Sequence, residues 1–339
     1  MEQEIRFVER DGARLAYAVV GDGPPLVFAC WWLGHLEAMW DEPSFRAFVL
    51  RLAETHRVVR FDRPGVGLSE RPSADGDLEL DVDALRAVVE ALDAGPATLF
   101  GASCGGCSAV ALAARAPRLV DRLVLYGAYV DGGAITTPEV RATLGALIRA
   151  NWGLGAQTLA DVFMPDASAE QRDGFARFQR RSATGEEAAD RLDLVYRLDA
   201  TPYLEDVRAP TLVLHRRGDR AIPVAHGREL AMGIPGARFV PLPGRDHFPW
   251  SGDVDSVVRP LRAFLGARPA APVPAGSPLS AREREILALV ASGLGDAEIA
   301  EQLVLSPHTV HRHVANVRRK LGQTSRAAAV AEAARLGLI

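Results

Sequence analysis

Cysteine is nearly absent from this 339-residue chain, with only Cys30, Cys104 and Cys107. Three thiols are an odd number and too few for a disulfide framework, which suits a chain kept in a reducing cytosol. Long apolar runs are missing as well. The most apolar stretch, from Pro24 to Trp40, carries His35 and Glu37 and falls short of the about 20 clean residues that span a membrane. The opening MEQEIRFVERDG is charged with no apolar signal region behind it, so the sequence reads as a cytoplasmic protein without a membrane partner. An excess of positive charge is lacking too. A net charge of -4 excludes a general nucleic-acid coat, although an average over a long chain hides opposite local signs. No internal repeat appears, and no pattern calls for a cofactor or a metal.

What is present is ample material for a buried core, with 48% hydrophobic residues and a length that suits one large domain or two smaller ones. A boundary shows at 267–278, ARPAAPVPAGSP, where four prolines alternate with small residues. Such a segment favours extended conformations and makes a semi-rigid spacer. It divides the sequence into 1–266, the Pro/Ala-rich linker 267–278, and 279–339. From Ser277 onward there are eight Lys and Arg against six Asp and Glu. The tail is thus weakly positive, and its charge is concentrated in Arg312, Arg318, Arg319 and Lys320.

The tail reads as a small all-α unit. Ser280 and Glu283 form a capping box ahead of a helix whose buried stripe is Ile286, Leu287, Leu289, Val290 and Leu294. Gly293 ends that helix, and Asp296 caps a short second one burying Ile299, Ala300 and Leu303. Val304 and Leu305 make the turn. Ser306 caps a third helix with Pro307 at its first position. There Val310, Val314, Val317 and Leu321 recur at helical spacing, which leaves His308, His311, Arg312, Ala315 and Arg319 on the opposite face. A major groove admits one helix whose outward side chains reach base edges while flanking cations meet phosphates.

From Leu279 to Ile339, through LSARERE, GLGDAEIAEQL, LSPHTVHRHVANVRRKLG and TSRAAAV, the chain resembles the LuxR-type helix-turn-helix family. The resemblance implies double-stranded DNA as a partner, base-facing positions at His311, Arg312 and Ala315, and Thr309 and His313 near the DNA backbone. Arg318, Arg319 and Lys320 would meet phosphates. The helix from Ser325 to Leu336 would supply the contact of a homodimer. The family usually has Lys where this chain has His311.

The first 266 residues alternate β-rich runs with helical stretches, as an α/β sheet protein does. Strands are predicted over Arg14 to Val20, Pro25 to Ala29, Arg57 to Phe61, Ala97 to Phe100, Leu123 to Tyr126, Thr211 to His215 and Arg238 to Leu242. Between Phe100 and the next helix lies Gly101-Ala102-Ser103-Cys104-Gly105-Gly106. A strand-turn-helix elbow forces a nucleophile into strained backbone geometry, and glycines two residues to either side avoid a clash. A serine there is unreactive without a base. Asp219 follows the strand ending at His215, and His247 follows the strand ending near Leu242. On those loops the carboxylate can hold the imidazole tautomer and the imidazole can take the Ser103 proton. Asp131 is a fallback acid.

Here the chain resembles the α/β-hydrolase superfamily over roughly its first 266 residues, also through FDRPGVGLS at Phe61 to Ser69. The resemblance implies a mostly parallel sheet with a helical cap at about 131–203. Trp152, Phe163, Met164, Phe175, Phe178 and Tyr196 would line an apolar pocket over Ser103, or form the cap's own core. It also implies an oxyanion hole from the amides of Trp32 and Cys104. The family's His-Gly in that loop is replaced by Cys30-Trp31-Trp32, and losing one donor from such a hole costs about 10² to 10³ in rate.

Three functions remain open. One is a transcriptional regulator whose hydrolase-like unit senses a small apolar ester, lactone or similar carbonyl compound. Another is a working serine esterase with an appended DNA-binding domain. The third uses Cys104 and Cys107, at i and i+3 with Cys30 close by, as a redox or electrophile sensor, since a thiol at a helix N-terminus can acquire a lowered pKa.

Overall fold

The computed structural model describes the chain apart from residues 11, 72–75, 267–278, 292–293, 304–305, 337 and 339, and the side chains of 281, 285 and 301–303 also lie outside the description. The Pro-rich segment 267–278, Gly293, Val304 and Leu305, and the Leu303 side chain therefore fall outside the described residues. Two compact units divide the chain, Met1–Phe264 and Leu265–Ile339.

The first unit is built on eight strands: β1 (Glu4–Arg10), β2 (Ala13–Val20), β3 (Pro25–Phe28), β4 (Arg57–Phe61), β5 (Ala97–Ala102), β6 (Val120–Tyr126), β7 (Thr211–Arg216) and β8 (Arg238–Leu242). Their spatial order is β1-β2-β4-β3-β5-β6-β7-β8. β1, β2 and β4 pair antiparallel, and every neighbour from β4 to β8 is parallel. The runs PLVF in β3, ATLFGA in β5 and TLVLHR in β7 are buried throughout, as expected of central parallel strands covered on both faces. Helices α1 (Leu36–Trp40), α2 (Pro43–Ala53), α3 (Leu78–Ala91) and α4 (Gly105–Arg115) follow in the first half. α4 packs on β5 and β6.

Between β6 and β7 the chain leaves the sheet to form α5 (Pro138–Ala150), α6 (Trp152–Phe163), α7 (Ala169–Ser182) and α8 (Gly185–Val195). Each starts on a side-chain cap: Thr137, Asn151, and the full capping boxes Ser168/Gln171 and Thr184/Glu187. Such caps satisfy amides that a helix N-terminus leaves unpaired. The chain then returns to β7, α9 (Val224–Gly233), β8 and α10 (Val254–Gly266).

β1 escapes the sequence reading. It is an edge strand whose residues are all exposed or half-buried, and one partner strand is enough to hold it, so it needs no apolar run. β5 also runs two residues past Phe100, pairing Ala102 with Tyr126, which carries the strand up to the elbow.

The second unit holds α11 (Ala281–Ala291), α12 (Asp296–Leu303), α13 (Pro307–Lys320) and α14 (Arg326–Arg335). Leu279, Ile286, Leu287, Ile299, Val310, Val317, Ala329 and Ala333 form its core. The Ser280/Glu283 box is closed, with Glu283 N–H donating to Ser280 Oγ at 3.2 Å and Ser280 N–H to the Glu283 carboxylate at 2.8 Å. Asp296 does not cap α12. Gly295 occupies the cap position and donates its N–H to Glu298 at 2.7 Å. The Asp296 carboxylate is thereby freed to accept from Arg326 at 2.7 Å and to meet His311 at 3.3 Å.

Candidate functional sites

Ser103 has φ 54°, in the left-handed region, where a non-glycine residue is strained and marks a functional position worth testing. Neighbouring contacts hold it there. Its N–H donates to Tyr126 O at 3.0 Å, and Gly106 N–H donates to Ser103 O at 3.0 Å. The flanking glycines are required by close approach. A Cβ on Gly101 would lie 2.9 Å from Ala109 Cβ, and one on Gly105 would lie 2.7 Å from Cys30 O. The second contact presses the start of α4 onto the end of the β3 loop.

Asp219 and His247 meet beside the same strand end. His247 Nδ1–H donates to Asp219 Oδ2 at 2.8 Å, a tautomer fixed by the carboxylate that leaves Nε2 free to act as a base. Asp219 Oδ1 accepts from the amides of Ala221 and Ile222 at 2.9 and 3.1 Å. Burial works to raise the Asp219 carboxyl, but His247, His215 and the Ile222 amide outweigh it and hold the group below its ordinary value. A Cβ on Gly127 would stand 3.3 Å from His247 Cε1 and 3.4 Å from Asp219 Oδ2. Gly127 directly follows Tyr126, whose carbonyl receives the serine amide, so the end of β6 brings the pair and the elbow together. The Ser103 hydroxyl itself bonds to none of the described residues. Asp131 is spent elsewhere, accepting from Gly133 N–H at 2.7 Å.

In the second unit Ser306 Oγ accepts from Thr309 N–H at 3.1 Å, and Val310, Val314 and Val317 are buried. His308, His311, Arg312, Ala315 and Arg319 are exposed, while Thr309 and His313 are half-buried. The basic run at the end of α13 divides. Lys320 donates to Glu283 at 2.7 Å and Arg318 to the Thr324 carbonyl, so both turn toward their own unit. Among the described residues Arg319 donates to Asn316 alone, at 2.9 Å. Among the described residues, Arg312 and Arg319 have no carboxylate partner.

Residues 36–144 match the family model "alpha/beta hydrolase fold", and residues 277–333 match "Bacterial regulatory proteins, luxR family". A 2-hydroxy-6-oxononadienedioate/2-hydroxy-6-oxononatrienedioate hydrolase of Cupriavidus pinatubonensis is 33% identical over 201 residues, 56% of this chain and 68% of that protein. The chain is an α/β-hydrolase domain followed by a LuxR-family helix-turn-helix domain. The hydrolase domain is also similar to a stretch of the polyketide synthase ThaQ of Burkholderia thailandensis, 34% identical over 220 residues, 60% of this chain and only 10% of the synthase. Among solved structures, the enol-lactonase from Burkholderia xenovorans LB400 superposes with a TM-score of 0.64 at 26% identity, covering 77% of this chain and all of that one.

In the hydrolase domain the loop after β3 is locked by rings. Trp31 lies 4.6 Å from Trp250 and 5.5 Å from Phe248, and Trp32 meets Phe163 at 6.3 Å. The Trp32 and Cys104 amides donate to no backbone carbonyl among the described residues. Phe163 packs 5.5 Å from the His247 ring and Phe175 packs on Phe248, while Phe178 stacks on Phe175. Trp152 donates to Ala183 O at 2.8 Å and packs, as Phe175 also does, with Ala156, Ala160 and Ala176, while Tyr196 lies beneath Arg141. Met164 is buried.

The cysteines do not have the character of a low-pKa thiol. All three are free and fully buried, and burial pushes each thiol up, with Arg63 working against it at Cys30 and Cys104 without prevailing. Sequence reasoning missed His215, whose Nε2 lies 3.7 Å from Asp219 Oδ2 and 2.8 Å from Ile222 O. Its only signal is its place four residues before Asp219, at the end of a buried strand. Among the described residues no helix is long and apolar enough to cross a membrane, and no cluster of His, Cys, Asp and Glu is arranged to hold a metal.

Proposed function

We propose that this protein is a DNA-binding transcriptional regulator whose hydrolase-like unit, 1–266 with a cap at about 131–203, senses a small, largely apolar ester, lactone or similar carbonyl compound. It acts as a homodimer on double-stranded DNA through 279–339, with 267–278 as the linker. The observation that carries this reading is the union in one chain of two sites: a strained Ser103 beside a bonded His247–Asp219 pair, and an outward helix face bearing Arg312 and Arg319. The activities of the similar proteins, an enol-lactonase and a hydrolase of 2-hydroxy-6-oxo dioates, support a carbonyl ligand. Binding shifts DNA occupancy only through different affinities for two states of the protein. Occupancy of a selected operator duplex is measured by fluorescence anisotropy while candidate compounds are titrated. Occupancy that is unmoved by every compound shown calorimetrically to fill the Ser103 site sinks this reading.

The intact 2.8 Å His247–Asp219 bond favours a second reading, that of a working serine esterase. His247 takes the Ser103 proton, Oγ attacks the carbonyl carbon, and the Trp32 and Cys104 amides meet the oxyanion. The protonated imidazole releases the alcohol, and water then hydrolyses the acyl-Ser103. Turnover abolished by Ser103→Ala supports this reading. A protein that neither hydrolyses generic esters nor reacts with a serine-directed phosphonate counts against it.

A further inference from the structure

The loop that carries His247 is tied to the helical insertion by bonds that the triad chemistry does not require. His247 N–H donates to Phe163 O, at the last residue of α6, at 2.7 Å. One residue earlier, Asp246 Oδ1 accepts from Asp166 N–H at 2.8 Å. These two bonds make a clamp with two rungs, Phe163 to His247 and Asp166 to Asp246. The other Asp246 oxygen accepts from Ser251 Oγ at 2.6 Å. Arg216 donates to the carbonyls of Asp246 and Ser251 at 3.0 and 2.5 Å. Asp246 and Arg216 are each 1% exposed.

A carboxylate is unfavourable in such a place unless its lone pairs are met. Here they are met by one donor from the insertion and one from the histidine loop. The Arg245–Asp166 ion pair at the rim is substantially exposed, and pairs of that kind contribute little. Phe163 touches both the imidazole and the Trp32 ring, so one side chain of the insertion contacts the base and the loop that offers an oxyanion amide.

We propose that Asp246 is a positioning residue that couples the turn between α6 and α7 to His247, so that displacing Phe163 moves the imidazole relative to Asp219 and Ser103. The proposal rests on reading Ser103, Asp219 and His247 as a triad. It gives the insertion a direct mechanical route to the base.

The test uses the full chain and two readouts. One is the rate of Ser103 labelling by a fluorophosphonate over roughly pH 5 to 9, the range that spans histidine titration. The other is the low-field NMR proton of His247 Nδ1–H in its bond to Asp219. Asp246→Ala is expected to slow labelling about tenfold or more, because small misplacements of catalytic groups carry penalties of that order, and to shift the pH profile and the Nδ1–H signal. Asp246→Asn keeps an acceptor for Asp166 N–H and restores most of the rate, while Arg245→Ala leaves it unchanged. Asp246→Ala that labels at the wild-type rate with an unmoved proton signal overturns the proposal. If Asp246→Ala does not fold, Ser251→Ala removes one bond from the same carboxylate, and an unchanged rate and signal in that variant overturn it equally. A wild-type protein that does not label defeats the triad reading instead, and the response of the Nδ1–H proton still decides the coupling.

Discussion

At Ser103 the backbone conformation and the hydroxyl are separable. A β-carbon at φ 54° costs about 1–3 kcal/mol, and glycine there costs almost nothing locally. Glycine also loosens the unfolded chain by about 0.4–1 kcal/mol, the smaller term. Ser103→Gly is therefore expected to melt above both the wild type and Ser103→Ala in calorimetry, and an equal or lower midpoint would place the strain elsewhere. Asp219 gives a second residue-scale expectation. Its folded pKa is depressed, so its contribution to stability is complete above the unfolded value of about 3.9 and is lost as pH falls through the lower folded value. Urea unfolding is expected to show Asp219→Asn less stable than wild type near neutrality, with the gap closing in acid. A gap that widens on acidification would contradict the assigned sign. The strained elbow at Ser103 and the bonded Asp219–His247 pair were legible because an elbow is a local pattern and the two other residues follow in chain order on loops after strands. His215, Arg216 and Asp246 were not, because each meets its partners only through folding, and a buried Arg reads in sequence like a surface one.

At the scale of the helix, the last turn of α13 shows how little a count of charges decides. Lys320, the only lysine of the chain, pairs with Glu283 and thereby joins α13 to the capping box of α11. Burial raises the Glu283 carboxyl, but Lys320 and Ser280 together hold it below its usual value. Glu283→Ala is expected to remove about 1 kcal/mol through the lost cap, read as a lower melting midpoint of the helix-turn-helix unit with no change in the hydrolase unit. For DNA binding, a cation that meets phosphate contributes about 0.9 to the slope of log affinity against log salt. Arg319→Ala is expected to flatten that slope by about this amount, and Lys320→Ala by much less. Equal flattening by both would mean that the Glu283 pair opens on DNA. The strands were legible in proportion to their burial. β3, β5 and β7 carry continuous apolar runs, whereas β1 mixes Glu and Arg with Ile and Val because only one of its edges is paired.

For the whole molecule, the decisive quantity is a coupling free energy. If a ligand in the hydrolase unit changes operator affinity by some factor, the operator must change ligand affinity by the same factor, and a tenfold effect is about 1.4 kcal/mol. This equality holds only at equilibrium, and turnover at Ser103 would break it. Ser103→Ala removes the hydroxyl that a serine esterase would use while leaving His247 bonded to Asp219, so in that variant the two factors are expected to agree when ligand binding is measured calorimetrically with and without operator duplex. If the wild type departs from equality while Ser103→Ala obeys it, the protein consumes what it senses, and the signal depends on the rate of hydrolysis as well as on affinity. If both obey it with a factor above one, the triad geometry serves binding alone. A Ser103→Ala protein that binds ligand normally and shows no change in DNA affinity would separate the two units functionally, leaving an esterase and a helix-turn-helix joined in one chain without communication.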